Sequence, residues 1–310
     1  MNEFAIGVDI GGTRTKLGLV NLCTGAIQHV IVAPTERDSE ALFLQHIVNA
    51  VRDFRNLLPA AAVLKGIGLG VPSYVDGAGV VDNTYGFLGF MENYPLKSNL
   101  EKLVELTCLI DNDARVVALG EAFFGAGKQY QRVLVLTLGT GLGVGFIVDR
   151  LFPDSLPLAH MSGHMSIQSE GALCYCGKRG CLESLVSSAA ITDERIVAEI
   201  TKENPVNQIT MEKVFALANS GVAPAKKVVD NLVVALHKGI HNYINLLAPD
   251  IIILGGGISK GLAGLEKQII NGDYLLPFTS YKVSLVISDL QEQAGILGAA
   301  SLFKLKEKHL

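Results

Sequence analysis

Apolar positions along this chain fall into short runs, separated by glycine-rich turns and by stretches of helical spacing. Residues 4–10 form an apolar run that reads as a strand; Gly11-Gly12 turns it and residues 16–20 return as a second strand. A turn cluster at 21–25 leads to a third strand at 26–33. Leu42, Ile47, Val51 and Phe54 recur at helical spacing and predict a helix over 38–57. A buried strand follows at 66–71, a loop at 72–79, and a short Val80-Val81 pair. The pattern then gives a helix at 97–106, a strand beginning at 108–110 and a helix at 114–124.

The opening design recurs at 133–148, where an apolar run, the turn Gly139-Thr140-Gly141 and a second apolar run repeat the strand–turn–strand order of 6–20. Such a repeat suggests a duplicated fold with one phosphate-gripping turn in each half. Chance similarity between two glycine-containing hairpins is the plainer alternative. Beyond residue 188 the spacing turns helical, at 189–201, 211–219 and 224–247. The last carries Val228, Leu232, Leu236, Ile240, Tyr243, Ile244 and Leu247 on one stripe. A buried strand at 250–254 runs into Gly255-Gly256-Gly257 and a following helix; a last strand at 282–287 and a last helix at 294–306 close the pattern. Strands and helices alternate, which defines an α/β protein.

At 310 residues there is room for two domains. Hydrophobic residues make up 49% and charged residues 18%, so much surface is to be buried, in a core or between subunits. No apolar run approaches the ~20 residues a membrane helix needs. Residues 1–3 lead directly into a strand with no signal-like segment, which gives a cytoplasmic expectation with no membrane partner. A net charge of −4 without a Lys/Arg cluster argues against nucleic acid as a partner.

Four stretches carry chemistry. In the first, Asp9 to Lys16, glycines at Gly11 and Gly12 allow backbone N–H groups to approach phosphate oxygens. Thr13 adds a hydroxyl, and Asp9 can hold Mg²⁺ directly or through water. An ordinary tight hairpin is the structural alternative. The second stretch, with Gly139, Thr140, Gly141 and Gly143, is followed by a strand and lacks Gly-Lys-Ser/Thr, so it fits neither a Rossmann fingerprint nor a Walker loop. A two-stranded phosphate clamp fits it better. Gly255, Gly256 and Gly257 form the third, suited to close backbone approach by the nucleoside part of a nucleotide. Fourth, Asn112-Asp113 falls between a strand and a helix, where a carboxylate can accept a hydroxyl proton and Asn112 can bond a neighbouring hydroxyl. A helix N-cap explains the same pair and is compatible with it.

The densest signal is His164 followed by Cys174, Cys176 and Cys181. Three thiolates and one imidazole make a closed tetrahedral zinc site, structural because no open position is left for water. A zinc-dependent hydrolase would need such a position. A disulfide with a spare thiol is the main alternative, disfavoured in a cytosolic setting. Glu183, two residues past the last ligand, is either a carboxylate held by the loop for sugar hydroxyls or a solvated surface residue.

Together these motifs resemble the ROK family (repressor, open reading frame, kinase), essentially end to end. The resemblance rests on Asp-x-Gly-Gly-Thr, the Asn-Asp pair, Leu-Gly-Thr-Gly-x-Gly-x-Gly, Gly-His with Cys-x-Cys-Gly-x₂-Gly-Cys-x-Glu, the Gly-Gly-Gly turn and the final Gly-Ala-Ala. It implies a duplicated actin-like, ribonuclease H-like two-domain α/β fold with ATP in the cleft between domains. We expect a smaller domain at 1–117 plus 296–310, and a larger one at 118–295 with the zinc loop at 164–183. Its implied activity is transfer of the γ-phosphoryl of MgATP to a hexose or N-acetylhexosamine, usually at O6. Asp113 would be the general base, and Asn112, His164 and Glu183 would contact sugar, His164 using one ring nitrogen for sugar and the other for zinc. A homodimer is also implied.

The chain departs from the family pattern mainly around the expected sugar pocket. Met161 stands where a sugar-contacting glutamate is common, with His160 beside it; Ser73 follows Pro72 where glycine is frequent; Phe87-Leu88-Gly89-Phe90 replaces Asn-Leu-Gly-Trp; Arg115 replaces Asn or Gln. These changes leave the sugar unnamed. The family also contains repressors, so a non-catalytic sugar sensor is the alternative. No helix-turn-helix precedes Phe4, so that sensor would lack a DNA-binding domain.

Overall fold

A computed structural model of the chain describes residues 2–84, 86–191, 194–203, 209–271, 278 and 280–306. In chain order the first elements are β1 (Asn2–Ile10), β2 (Arg14–Asn21), β3 (Ile27–Pro34), α1 (Glu40–Leu57), β4 (Ala62–Val71), β5 (Tyr74–Val75), β6 (Val81–Asp82), α2 (Leu96–Val104), β7 (Cys108–Asn112) and α3 (Asp113–Phe124). Then follow β8 (Arg132–Leu138), β9 (Leu142–Val148), α4 (Leu182–Val186), α5 (Glu194–Glu203), α6 (Met211–Asn219), α7 (Ala223–Leu247), β10 (Ile251–Gly255), α8 (Glu266–Asn271), β11 (Ser284–Ile287) and α9 (Ala294–Lys306). The chain divides into two units: residues 1–131, 145–160 and 289–310, and residues 132–144 and 161–288.

The first unit is built on a five-stranded sheet ordered β3-β2-β1-β4-β7. β1 and β2 are antiparallel, with Asp9 opposite Lys16; β1, β4 and β7 run parallel. Alternation along β1 sends Phe4, Ile6, Val8 and Ile10 into one core with Phe43, Ile47, Val51 and Phe54 of α1. Burying each such side chain stabilises the fold by ~1.5–3 kcal/mol. The Ser39 side chain caps α1 by accepting from the Leu42 N–H. On the opposite face, Ala5 and Val20 meet Ile296, Leu297, Ala300 and Phe303 of α9. The α9 backbone lies directly on the sheet, because a Cβ on Gly68 would come 1.8 Å from the Ala299 carbonyl oxygen. Likewise a Cβ on Gly298 would come 1.6 Å from the Val116 carbonyl oxygen, so α3 and α9 cross at backbone contact.

The expected domain limits at 117/118 and 295/296 fall inside α3 and α9, each a continuous helix. The observed division instead comes after α3 and before α9, and residues 145–160 cluster with the first unit.

The second unit holds a four-stranded sheet ordered β11-β10-β8-β9, with β10 parallel to both neighbours. Taking β8 and β9 for β1 and β2, and β10 and β11 for β4 and β7, the two sheets share one order, as a duplicated fold requires. No counterpart of β3 occurs in this sheet among the described residues. β10 is buried throughout and α7 buries Val228, Leu232, Leu236, Ile240, Tyr243 and Ile244 on the expected stripe. The helix expected at 189–201 is a 3-10 turn at Ser188–Ile191 followed by α5, with 192–193 outside the described residues. No helix among the described residues is long and apolar enough to cross a membrane.

Candidate active site and metal-binding loop

In the first unit the chemistry collects at the C-terminal ends of β1, β4 and β7. Asp9, near the end of β1, stands 3.7 Å from the Lys16 ammonium, which also reaches Glu292 at 3.6 Å. A Cβ on Gly295 would come 2.4 Å from Asp9 Cγ, so glycine in the first turn of α9 makes room for this carboxylate. Burial raises the pKa of Asp9, and Lys16 offsets part of that rise. The turn between β1 and β2 is closed by Gly11 N–H to the Arg14 carbonyl at 3.0 Å. Thr35, buried just past β3, braces it: its hydroxyl donates to the Gly11 carbonyl at 2.7 Å and its N–H to the Thr13 carbonyl at 3.0 Å.

Asn112 and Asp113 join β7 to α3. The Asn112 side chain caps the helix, accepting from the N–H groups of Ala114 at 3.0 Å and Arg115 at 3.3 Å. Its amide donates to the Ser73 carbonyl at 3.2 Å. Asp113 accepts from the Ala114 N–H at 2.8 Å. Burial, with the Asp9 charge adding to it, pushes the Asp113 carboxyl up to about 7. The Ser73 hydroxyl donates at 2.8 Å to Asn83, a buried amide that in turn donates to the Leu88 carbonyl. Arg115 is held at 2.7 Å by Asp111 and lies 4.1 Å over the Phe152 ring.

In the second unit the strongest cluster is His164, Cys174, Cys176 and Cys181, whose ligand atoms lie within 4.8 Å of one another. His164 Nδ1 is 3.6 Å from Cys174 Sγ, and Cys176 Sγ is 3.6 Å from Cys181 Sγ. Tetrahedral ligands at zinc–ligand bonds of about 2.0–2.3 Å stand roughly 3.3–3.8 Å apart. The donor set therefore fits zinc, and these four residues would hold it with no position left for water. The loop is closed by Cys174 N–H to the Lys178 carbonyl and Gly177 N–H to the Cys174 carbonyl, with Gly177 at φ +86°.

Cys181 immediately precedes α4, which carries Glu183. Glu183 is buried and lies 3.7 Å from His164 Nδ1. Burial pushes its carboxyl up to about 7, while the Tyr175 hydroxyl and the Leu142 N–H donate to it and pull the other way. A Cβ on Gly141 would come 2.9 Å from its Oε1, so the turn between β8 and β9 is glycine where the carboxylate passes. Ser188 N–H donates to the Gly139 carbonyl at 2.9 Å. Gly143 lies within β9. Gly256, at φ +80°, packs against Leu138, and Ile258 N–H donates to the Leu138 carbonyl. The second and third glycine turns thus abut.

One expectation is corrected here. No α-helix starts directly after Gly257; a 3-10 turn at Ser259–Leu262 comes first and α8 begins only at Glu266. Gly264 takes φ +88°, which ends helical continuation there, and Gly261 within the 3-10 turn lies against the Phe215 ring. Met161 lies in a 3-10 segment, Ala159–His164, and is exposed. His160, its neighbour, packs with the first unit, its ring stacked on Tyr74. Sequence reading did not single out Thr35, Asn83 or Tyr175. For Tyr175 the available signal was its place between two ligands.

With this geometry in view, comparison with known proteins is direct. A family profile described as ROK family matches residues 5–306. The chain belongs to the ROK family. It is 32% identical to a glucokinase of Halalkalibacterium halodurans, over 100% of this chain and 97% of that protein. An N-acetylmannosamine kinase of Vibrio cholerae is 30% identical, over 96% of this chain and 99% of its own length. Among solved structures, a ROK family glucokinase from Streptomyces griseus in complex with glucose and AMPPNP is similar with a TM-score of 0.76 at 27% identity, over 96% of this chain and 98% of that one. The fold is the duplicated, two-domain actin-like α/β architecture of these ROK proteins.

Proposed function

We propose that this chain is a sugar kinase that transfers the terminal phosphoryl group of ATP to a hydroxyl of a hexose or N-acetylhexosamine, at O6, with Asp113 as general base. One observation carries the reading: a carboxylate at the start of α3, fixed by the Ala114 N–H and poised near neutrality by burial and by Asp9. A base so tuned accepts a hydroxyl proton while the sugar oxygen bonds to phosphorus and the bond to the ADP oxygen breaks. The proton ends on Asp113. Asn112, whose amide is anchored on Ser73, would bond a neighbouring sugar hydroxyl. His164 and Glu183 supply the sugar contacts of the second unit, with Met161 and Ser73 shaping which sugar is accepted.

The turns at Gly11-Gly12-Thr13, at Gly139-Thr140-Gly141 with Gly143, and at Gly255-Gly256-Gly257 hold the nucleotide, with Lys16 near its phosphates. Nothing in the fold within 4 Å would obstruct a Cβ at Gly139 or Gly257. Packing does not require glycine there, and backbone approach to a ligand supplies the reason. The divalent ion that accompanies ATP would neutralise phosphate charge, and Asp9 would hold it directly or through water. Structural zinc on the four-residue cluster would shape the loop that carries Glu183. A homodimer belongs to the same reading; Val234 and Leu246, exposed on α7, offer apolar surface for a second copy.

The test is ADP release by the purified chain with aldohexoses, ketohexoses and N-acetylhexosamines. Sugar-dependent release with at least one class is expected. Sugar binding without ADP release from any of them would replace the kinase by a sensor.

A further inference from the structure

The hydroxyl of Tyr175 lies between the two groups of the second unit that the proposed reaction assigns to sugar. His164 turns Nδ1 toward Cys174 Sγ, at 3.6 Å, so its other nitrogen faces away from the metal cluster. That nitrogen, Nε2, is 3.3 Å from the Tyr175 hydroxyl, and the two rings meet edge to face at 5.2 Å. With Nδ1 committed to a metal, the neutral imidazole carries its proton on Nε2 and is a donor there. The Tyr175 hydroxyl accepts from it and donates onward to the Glu183 carboxylate. One hydroxyl, both acceptor and donor, bridges the pair as a sugar hydroxyl would.

We infer that Tyr175 is a specificity-determining residue whose hydroxyl holds, in the sugar-free protein, the position between His164 Nε2 and Glu183 that a substrate hydroxyl takes over. The inference rests on the sugar-binding part of the reading above. Tyr175 lies between Cys174 and Cys176, so a metal on those ligands would hold its backbone from both sides, while its ring lies at the surface. It is 63% exposed, so swinging the ring outward gives up little apolar burial. The exchange also conserves hydrogen bonds. A half-buried imidazole and a buried carboxylate are never left unpaired, whether or not sugar is present.

Two consequences follow. Binding of the natural sugar is opposed by an internal competitor. A sugar lacking the exchanged hydroxyl is tolerated, because Tyr175 stays in place and keeps His164 and Glu183 paired. Without the tyrosine hydroxyl the same sugar would strand both groups, and polar sites reject such analogues strongly.

The experiment measures Kd by calorimetry, without ATP, for the zinc-loaded full chain and its Tyr175→Phe variant. The probes are each hexose that binds and its 1-, 2- and 3-deoxy forms. Tyr175→Phe is expected to tighten the parent sugar about 3–10-fold, the equivalent of one competing hydrogen bond. For one deoxy form, the penalty relative to the parent is expected to be under about threefold in the native chain and about tenfold or more in the variant. Unchanged or weaker parent binding, or equal penalties in both proteins, would overturn the inference. If the variant holds less zinc, the native chain decides. It contains no tryptophan, so sugar binding must perturb its near-ultraviolet tyrosine absorbance, and no perturbation would overturn the inference. Sugars that bind without ADP release would sink the kinase reading and leave these Kd values to judge Tyr175. Failure of every sugar to bind would sink both.

Discussion

The two glycine turns of this duplicated fold have the same place in their sheets but different supports. Between β1 and β2, the turn is braced from within its own sheet, by the hydroxyl and N–H of Thr35 at the end of β3. The turn between β8 and β9 has no third strand beside it among the described residues. Its supports are Ser188 on Gly139, Glu183 beside Gly141, and Ile258 on Leu138. The first two belong to the segment that starts at Cys181, a member of the metal cluster. The segment that leaves the cluster therefore supports both this turn, proposed to hold nucleotide, and Glu183, the carboxylate proposed to bind sugar. In one half a strand does this work; in the other, the segment that follows the His/Cys cluster does.

The sharpest way to break this comparison is to remove one ligand. Cys181→Ser is expected to abolish zinc binding, read by elemental analysis, and to abolish activity. Structural zinc sites contribute on the order of 10–16 kcal/mol to local folding. Amide exchange should speed up at 139–143 and 164–188 while 9–16 stays protected. Equal protection of the two turns would show that the metal loop braces nothing.

Next in size is the pH dependence. Asp113 in the first unit and Glu183 in the second are both pushed up to about 7 by burial. As the proposed base, Asp113 would have to be ionised to accept a proton, so kcat/KM should rise with pH and level off above about 7. Below that it should fall about tenfold per pH unit if Asp113 alone must ionise, and about a hundredfold if Glu183 must also be charged. The steepness of the acid limb thus tells whether each unit supplies one essential carboxylate.

Smaller effects separate the two braces. Thr35→Val removes hydrogen bonds to Gly11 and Thr15 and should cost about 1–3 kcal/mol, measured by denaturant unfolding. Ser188→Ala keeps the N–H bond to Gly139 and loses only the longer hydroxyl contact to Thr140 at 3.4 Å. A change below about 0.5–1 kcal/mol is expected. A larger loss in Ser188→Ala than in Thr35→Val would reverse the assignment of the main supports.

Much of the fold was legible because its elements have distinct periods. The alternation in β1, the stripe on α7 and the run of β10 identify strand, helix and buried strand by themselves. The limits of the two units were not legible, because 117/118 and 295/296 lie inside continuous helices that cross at backbone contact at Gly120 and Gly298. The metal cluster was legible from spacing, since four donors over a short loop leave few other arrangements. The Asn112 cap was legible as well, and it coexists with the proposed sugar contact. Thr35, Asn83 and Tyr175 were not, since a single hydroxyl or amide acquires its role only from what the fold brings within about 3 Å. The region after Gly257 misled because a helix was expected where Gly264, in the left-handed region, breaks helical continuation.

The central claim, a sugar kinase with Asp113 as base, is tested most directly by sugar-dependent ADP release from Asp113→Asn beside the native chain. The account predicts that kcat falls at least ~10²-fold while the sugar still binds. It also predicts that the variant is no less stable at pH 8. A carboxyl raised to about 7 in the folded chain, from 3.8, binds its proton more tightly folded than unfolded. Stability is therefore lost as pH rises from about 3.8 through about 7, by up to roughly 4 kcal/mol, and the amide removes that loss. A variant that folds, binds sugar and retains near-native kcat would contradict the account.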